Sequence, residues 1–397
     1  MPRVGILTSG GIAPCLSASI GGLIEKYNEI SPESEIIGYL HGYRGLLLGN
    51  SIKFSDKVKQ NFAALYNFGG TPVGNSRVKL TNIEDCIKKG YVSENQDPLE
   101  VAAQQLEKDG IDILHTIGGD DTNTMAAALA KHLETSGKKL TVVGLPKTVD
   151  NDVIPVKQTL GAWTAAEQGA RFFQNIVNEN TTSRRQLIIH EVMGRHCGWL
   201  TAGTAYEYRK SLENMIFLPE LNMSKERRDV HAVYIPEIDV DFQKESKRLR
   251  KCMDENDCVN IFLSEGAGMD TIVREFESQG QEVPRDAFGH VRLDDINPGQ
   301  WFAKQFADAL DADKTLIQKS GYFARSSKPG ERDLELIKKS AFMAAEFALN
   351  RKSGLVGLDE NNNGELGLID LQQIKGGKEF DTSQSWFQDM LSEIGQK

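Results

Sequence analysis

The sequence predicts an α/β fold of two doubly wound domains, each with a mainly parallel sheet and helices on both faces, and an active site in the cleft between them. Apolar runs at 111–117 and 140–145 have the length of buried parallel strands. Helix signals lie between such runs, so that strands and helices alternate along the chain. With 397 residues, 40% of them hydrophobic, the chain is long enough for two domains with sizeable cores.

The first domain is predicted to span residues 1–161. It opens with a strand at Arg3–Thr8, a Gly-rich turn and a helix that reaches residue 30. Asp97–Lys108 has the cap and the apolar spacing of an amphipathic helix. A further helix at Asn123–Leu133 leads to the strand at Leu140–Leu145, which repeats the strand and helix alternation.

The second domain is predicted to span residues 162–325, and residues 326–397 should form a helix and a tail that pack back on both domains. The predicted strands are 186–190, 259–263 and 314–318, and the predicted helices are 300–310 and 334–350. Asp359–Asp370 resembles an EF-hand calcium loop in its spacing, but it lacks the bidentate Glu and an entering helix. We expect a turn there.

Composition excludes several classes of protein. The net charge of -10 argues against a general binder of nucleic acid or of acidic membranes. Five cysteines without a C-x-x-C pair are too few for a disulfide framework and indicate reduced, buried thiols. No apolar run approaches a membrane span, and no signal peptide pattern precedes the first strand, so we expect a cytoplasmic protein.

The cluster Gly118–Thr122, at the end of the first apolar run, has the features of a site for phosphate and metal. Its glycines let a backbone approach a phosphate, and the helix predicted to start near Asn123 would direct unpaired N–H groups at the same anion. Asp120 and Asp121 have the wrong charge to contact a phosphate directly, which indicates that at least one of them holds a divalent cation that bridges to the phosphate oxygens. The alternative is a plain strand-to-helix turn with an Asp cap.

The cluster Pro146–Asp152 follows the next apolar run. Lys147 can neutralise a moving phosphoryl group, while Asp150 and Asp152 can accept a hydroxyl proton or complete a metal shell. Taken alone, this Pro- and Asn-rich stretch is also compatible with an ordinary loop. Because both clusters end neighbouring strands of one predicted sheet, phosphoryl transfer is the better interpretation.

These residues resemble the phosphofructokinase family. The chain carries four motifs of that family in order: Thr8–Gly11, Gly118–Thr122, Pro146–Asp152 and Glu191–Arg195. The resemblance covers residues 3 to about 350. Asp121 and Lys147 stand at two positions that are glycine in typical ATP-using members, and this Asp and Lys variant is typical of pyrophosphate users.

The resemblance implies a phosphoryl transfer from inorganic pyrophosphate to the 1-hydroxyl of D-fructose 6-phosphate, a reversible step of glycolysis, with Mg²⁺ as cofactor. It implies Asp150 as the general base, Asp120 as the metal ligand with Asp152 beside it, and Asp121 in the space of an ATP α-phosphate. It also implies that Lys147 and Thr148 stabilise the transferring phosphoryl group. The donor phosphates would be bound by Gly10, Gly11, Arg77, Gly119, Thr122 and Lys147. The sugar phosphate would be bound by Thr148, Val149, Asp150, Met193, Gly194, Arg195, Glu265, Tyr322 and Arg325.

The sequence departs from the family pattern in the second domain. The Arg expected five residues before Glu191, which in bacterial members crosses a subunit interface, is Gln186, so Arg184 or Arg185 is left as a substitute. The motif G-[HY]-x-x-R has two candidates, Gly289–Arg292 and Gly321–Arg325. We choose the second for its spacing, which leaves His290 and Arg292 without a role. Lys319 is a further candidate for a phosphate contact.

Two alternatives remain at this point. One is an ATP-dependent member of the same family, and the other is a non-catalytic subunit that senses fructose phosphates. The intact base motif at Thr148–Asp152 argues against the second alternative. We also expect a homo-oligomer, either a dimer or a tetramer.

Overall fold

The computed structural model describes residues 1–285 and 291–397. Its strands are β1 (Arg3–Thr8), β2 (Glu35–Tyr39), β3 (Ser51–Lys53), β4 (Ile113–Gly118), β5 (Thr141–Pro146), β6 (Gln186–Val192), β7 (Ala232–Tyr234), β8 (Cys258–Ser264), β9 (Lys314–Lys319), β10 (Gly354–Asp359) and β11 (Glu365–Ile369).

The helices follow the same chain order. They are α1 (Leu16–Ile30), α2 (Tyr43–Leu48), α3 (Asp56–Gln60), α4 (Ile83–Lys88), α5 (Pro98–Lys108), α6 (Asp120–Thr135), α7 (Ala162–Ile176), α8 (Trp199–Leu212), α9 (Lys225–Arg228), α10 (Phe242–Asn256), α11 (Met269–Ser278), α12 (Leu293–Ile296), α13 (Pro298–Leu310), α14 (Gly321–Arg325), α15 (Glu331–Leu349) and α16 (Ser385–Glu393).

The chain forms two compact units. Unit 1 contains Met1–Thr164 and Arg325–Lys378, and unit 2 contains Ala165–Ala324 and Glu379–Lys397. The sequence prediction placed the first boundary after residue 161 and the second after residue 325. It treated residues 326–397 as one segment, whereas the structure divides that segment between the units after Lys378.

Unit 1 is built on a seven-stranded sheet in the order β11-β10-β5-β4-β1-β2-β3. The edge pairs β10–β11 and β2–β3 are antiparallel, and the other neighbours are parallel. Successive side chains of a strand point to opposite faces. In β4, Leu114 packs into a core with residues of α2, α5 and α6, while the adjacent His115 bonds Tyr27 of α1 on the other side. Helices therefore cover both faces of this sheet.

Unit 2 is built on a four-stranded parallel sheet in the order β7-β8-β6-β9. Leu187 and Ile189 of β6 pack into a core with α10 and α13, and Ile188 packs on the opposite face with α7, α8 and α16. Both units thus have the doubly wound, mainly parallel architecture that the sequence predicted.

Most predicted elements are found where the sequence placed them. The helix expected at Asn123 is the clearest error, because α6 begins at Asp120. The EF-hand-like segment contains the turn of the β10–β11 hairpin, as expected, and the strand β11. All five cysteines carry free thiols, and Cys252 is only partly buried, in contrast to the prediction. In the part of the chain that the structure describes, no helix has both the length and the apolar character that crossing a bilayer requires.

Candidate active site

Three loops of unit 1 lie at the same edge of its sheet. The strands β1, β4 and β5 are parallel neighbours, with Thr8 beside Ile117 and Gly118 beside Pro146. Their carboxyl ends therefore coincide, which is where open α/β sheets bind ligands. The loops that follow carry Gly10, Gly11, Asp120, Asp121 and the Lys147–Asp152 segment.

Lys147 lies at the centre of this edge and is only 4% exposed. Its ammonium donates a hydrogen bond of 2.8 Å to the carbonyl oxygen of Gly11. A Cβ on Gly10 would lie 3.1 Å from the Lys147 Nζ, and Gly10 has a φ of +83°, so this turn favours glycine on both counts. Burial lowers the pKa of Lys147, and the nearby Cys15 and Asp150 oppose that shift. The structure thus brings Lys147 onto the Gly10–Gly11 turn.

The loop that precedes α4 also contributes Arg77. Its guanidinium lies 4.0 Å from the position of a Cβ on Gly11. The Gly10 N–H donates to the Ser76 carbonyl at 2.9 Å, and the Ser9 hydroxyl donates to the same oxygen at 2.9 Å. Arg77 and Lys147 therefore face the same glycine turn from two different loops.

The first turn of α6 carries both acidic residues of the Gly118–Thr122 motif. The residue before the helix is Gly119, and no side chain caps this end, so the interpretation of the motif as an Asp cap is wrong. The Asn123 amide donates to the carbonyls of Gly118 and Gly119 at 3.0 and 2.8 Å. These two bonds connect the glycine turn to α6, and the carboxylates of Asp120 and Asp121 take no part in them.

Asp120 is the better candidate for a metal ligand. Burial raises the pKa of its carboxyl, and the negative charges of Asp121 and Asp152 raise it further. A divalent cation between Asp120 and Asp152 would relieve this repulsion, so the residues present fit such an ion. Among residues 1–285 and 291–397, no group of three or more His, Cys, Asp or Glu is close enough to hold a metal. A bound ion would therefore take its remaining oxygens from phosphate and water, as Mg²⁺ commonly does.

Asp121 has a partner that the sequence reasoning missed. The ammonium of Lys79 lies 2.7 Å from its Oδ2, in an ion pair that is partly exposed. Arg77, Val78 and Lys79 lie in a loop without regular secondary structure, in which Val78 is buried in the core. The side-chain alternation of a strand does not apply there, so no local pattern of the sequence places Lys79 beside Asp121.

Asp150 is held by a buried network behind the loop. Asn151 has a φ of +57° and is 3% exposed, and its Oδ1 accepts hydrogen bonds from the N–H and hydroxyl of Thr159 at 2.8 and 3.2 Å. The Thr159 hydroxyl is also 2.9 Å from the carbonyl of Thr148. The Asp150 N–H donates to the Thr148 hydroxyl at 3.1 Å. Asn151 and Thr159, which the sequence reasoning did not single out, thus position the Thr148–Asp150 segment.

In unit 2, the predicted sugar-phosphate residues also follow the ends of neighbouring parallel strands. Val192 of β6 lies beside Ser264 of β8, and Glu191 beside Lys319 of β9. The Gly194 N–H is 3.4 Å from the Glu265 carboxylate, and the Ser264 hydroxyl donates to the Gly194 carbonyl at 2.5 Å. The loops after β6 and β8 are therefore bonded to each other.

A cavity of about 330 Å³ adjoins these loops, and Arg195, His196, Gly266 and Arg285 are among its lining residues. The backbone of Gly266 lies so close to Arg195 that a Cβ at 266 would be 1.8 Å from the Arg195 carbonyl oxygen. The Arg195 backbone is thereby fixed beside a cavity whose lining carries both charges, from Arg195 and Arg285 and from Asp239 and Asp270.

The remaining candidates of the sequence analysis have different outcomes. Tyr322 is 80% exposed in unit 2, and Arg325 begins the second segment of unit 1, so their joint role stays a prediction. Arg292 pairs with Asp295 at 3.6 Å, while Gly289 and His290 lie outside the described residues. Lys319 makes a 2.7 Å ion pair with the buried Glu191.

Arg184 and Arg185 lie at the amino end of β6. Strands advance about 3.3 Å per residue, so this seven-residue strand separates them by about 20 Å from the Met193–Arg195 motif of the same chain. The Arg185 guanidinium donates to the carbonyls of Leu310 and Asp311 and pairs with Asp254. Arg184, with an 82% exposed side chain, is the more accessible of the two.

The chain is similar to known proteins over nearly its whole length. The chain is 59% identical over 394 residues to the pyrophosphate–fructose 6-phosphate 1-phosphotransferase of Methylotuvimicrobium alcaliphilum, covering 99% of this chain and 96% of that protein. It is 53% identical to the enzyme of the same name from Propionibacterium freudenreichii, with 99% and 98% coverage.

The fold is also that of solved structures. A crystal structure of pyrophosphate-dependent phosphofructokinase from Marinobacter aquaeolei superposes with a TM-score of 0.71 at 20% identity, covering 99% of this chain and 91% of that one. The sequence profile of the phosphofructokinase family matches residues 3–348. The chain therefore belongs to the phosphofructokinase family.

Proposed function

We propose that this chain transfers a phosphoryl group from inorganic pyrophosphate to the 1-hydroxyl of D-fructose 6-phosphate, which yields fructose 1,6-bisphosphate and phosphate. The observation that carries the choice of donor is the buried ammonium of Lys147 on the Gly10–Gly11 turn. The relatives that are 53–59% identical over nearly the whole chain bear the name of this activity.

Lys147 suits pyrophosphate because the leaving group is then phosphate itself. A buried ammonium can neutralise charge that develops on the leaving phosphate and on the moving phosphoryl group. Arg77, on the other side of the same turn, adds a second cation toward the donor. No nucleoside contact is needed for this stabilisation.

Asp121 opposes ATP in this proposal. The proposal assigns its carboxylate to the space that an ATP α-phosphate would need, and the same carboxylate pairs with Lys79. Volume and like charge both disfavour the nucleotide, and repulsion of a competitor sets specificity as effectively as attraction of the substrate.

Asp150 is the general base that accepts the proton of the 1-hydroxyl, with Thr148 and Val149 beside it. The network of Asn151 and Thr159 holds this segment, so the carboxylate need not reorganise during the reaction. Asp120 and Asp152 would hold Mg²⁺, which supplies charge neutralisation at the phosphate oxygens when it is bound.

The sugar phosphate is bound by the loops after the strands of unit 2. Gly194 and Glu265 are within hydrogen-bonding reach of each other, and Arg195 lines the adjoining cavity. Met193 contacts the turn of Gly321, since a Cβ at 321 would lie 3.0 Å from the Met193 side chain. Tyr322 follows that turn, and Arg325 completes the predicted set. A homo-oligomer remains part of this proposal.

Steady-state kinetics with both donors test the proposal. The wild type should use pyrophosphate and barely use ATP. Lys147→Met, which keeps most of the volume, should lower kcat/KM for pyrophosphate by about 10²- to 10³-fold, the loss typical of one stabilising group. Asp121→Gly should raise the use of ATP.

Asp121→Asn separates the two contributions of Asp121, because it removes the charge and keeps the volume. We expect it to raise ATP use less than Asp121→Gly does. Gly367→Ala, in β11, serves as the matched control, since a Cβ there meets nothing within 4 Å. Strong use of ATP by the wild type, or an unchanged donor ratio in Asp121→Gly, would contradict the proposal.

A further inference from the structure

A short segment near the C-terminus, Lys375–Lys378, lies against the acidic residues of the candidate active site. Its sequence is Lys-Gly-Gly-Lys, and we call it the strap. It lies beyond residue 348, where the match to the family profile ends. No motif of the sequence analysis includes it.

The strap is bonded to the loop that carries Asp152. The Ile154 N–H donates to the Lys375 carbonyl at 2.7 Å, and the Lys375 N–H donates back to the Ile154 carbonyl at 3.1 Å. The Lys378 N–H donates to the carbonyl of Asp152 at 3.0 Å. This pairing resembles a two-stranded antiparallel ladder, and it fixes the backbone on which Asp152 is carried.

The strap is also anchored on both sides. Upstream, Leu371 and Ile374 are buried in the hydrophobic core of unit 1. At the C-terminal end of the strap, the Lys378 ammonium donates to the Val156 carbonyl at 2.6 Å and lies 2.8 Å from the Glu360 carboxylate. The strap is therefore a fixed part of unit 1.

Gly376 contacts the carboxylate of Asp120. A Cβ built on Gly376 would lie 2.0 Å from the Asp120 Oδ2 and 2.7 Å from its Cγ. Any residue other than glycine would displace this carboxylate or the strap. The backbone of Gly376 also shields one side of Asp120 from water, in agreement with the raised pKa of that carboxyl.

We propose that the strap is one wall of the metal and pyrophosphate site and that Gly376 is a positioning residue that sets the location of the Asp120 carboxylate. The strap acts on both acidic groups at once, since it touches Asp120 through Gly376 and carries the Asp152 backbone through Lys378. This inference rests on the proposed function, because that function gives Asp120 and Asp152 their role as metal ligands.

The first test compares Gly376→Ala with the control Gly367→Ala. Electron paramagnetic resonance of free Mn²⁺ measures metal binding directly, with and without inorganic pyrophosphate. Displacing Asp120 should weaken Mn²⁺ binding by about tenfold or more, as changes next to a metal ligand commonly do. The KM for pyrophosphate and the activating Mg²⁺ concentration should rise with it, while the KM for fructose 6-phosphate should stay near that of the control.

A second variant covers the case in which Gly376→Ala fails to fold. Lys378→Met removes both bonds of the ammonium and adds no atom near Asp120, so the strap should loosen while the fold persists. We expect a smaller weakening of Mn²⁺ binding in the same direction.

Unchanged Mn²⁺ binding in a folded Gly376→Ala protein, or in Lys378→Met where only that variant folds, would overturn the role of the strap. Failure of the proposed function gives a different result. A wild type that does not phosphorylate fructose 6-phosphate from pyrophosphate refutes that function, whereas the binding of Mn²⁺ alone still reports on Gly376 and Asp120.

Discussion

At the scale of single residues, the proposed donor site combines a buried cation with acidic groups of different exposure. Lys147 is nearly inaccessible, Asp121 pairs with Lys79 in partial contact with solvent, and Asp120 is shielded by Gly376. Electrostatic interactions strengthen as water is excluded. The chemistry should therefore depend most on Lys147 and on the acid beside it, Asp150.

The first prediction concerns Asp150. Asp150→Asn keeps the shape of the side chain but removes the group that accepts the proton, so turnover should fall by about 10²- to 10⁴-fold. Binding of fructose 6-phosphate, measured by calorimetry, should change little, because the Asn amide can still hydrogen-bond to the 1-hydroxyl and the loops of unit 2 are unaffected. A variant with near-normal turnover would remove Asp150 from the role of base.

At the scale of elements, the carboxyl ends of β1, β4 and β5 bring the loops together, and a second layer of contacts sets their conformation. The segment from Lys157 to Gly161 supplies that layer. The Leu160 N–H donates to the Pro146 carbonyl at 2.9 Å, and Gly161 donates to the buried carboxylate of Asp333 at 3.0 Å. The catalytic loop is thus clamped by the chain that follows it.

The second prediction tests this clamp at Thr159. Thr159→Val keeps the shape but leaves the Thr148 carbonyl and the Asn151 amide oxygen without the hydroxyl, which costs about 1–3 kcal/mol in a buried site. We expect kcat to fall by about tenfold or more, with a smaller change in KM.

Thr159→Ser is the matched control for this prediction, since it retains the hydroxyl. It should keep most of the turnover of the wild type. If the Ser and Val variants had equal turnover, the hydroxyl of Thr159 would not position Asp150, and packing alone would explain the conformation of the loop.

At the scale of the whole molecule, three histidines that are buried in the described part of the chain couple stability to pH. They belong to both units: His115 donates to the Val143 carbonyl and accepts from the Tyr27 hydroxyl, and His231 accepts from the Asn260 N–H. His190 stacks on Phe173 with ring centroids 5.3 Å apart. Burial lowers the pKa of His115 and His231 to about 4 and that of His190 to about 3.

The third prediction follows from the sign of these shifts. The unfolded chain takes up protons at these histidines below about pH 6.5, while the folded chain does not until about pH 4 or lower, so folded-state stability falls as the pH falls through that range. Each histidine should cost about 2 kcal/mol at pH 5 relative to pH 7. Thermal unfolding should therefore shift steeply downward between pH 6.5 and 5.

His190→Leu isolates one of the three. It removes a titrating group from an apolar site, so the loss of Tm between pH 7 and pH 5 should be smaller than in the wild type. Between pH 8 and pH 7 the Tm of the two proteins should depend on pH with nearly the same slope, because the three histidines are mostly neutral there in both the folded and the unfolded chain. An identical acid slope in both proteins would contradict the assignment.

The sequence by itself determined the fold class, most elements and the family. Those properties depend on short-range patterns: alternating strands and helices, and motifs that stand directly at strand ends, such as Gly118–Thr122 and Pro146–Asp152. The family assignment made from four such motifs is confirmed by the profile match over residues 3–348. Motifs that follow parallel strands must then lie at the same edge of the sheet, because the carboxyl ends of parallel strands share that edge.

Only the tertiary structure decided which distant residues complete the site. Lys79 on Asp121, Thr159 on Asn151 and Gly376 on Asp120 are contacts across loops whose local sequence carries no strong signal. The helix start at Asp120 was likewise missed, because Gly119 precedes the helix and no capping side chain marks its first residue. Such contacts depend on how loops pack in three dimensions, which the local pattern of residues does not encode.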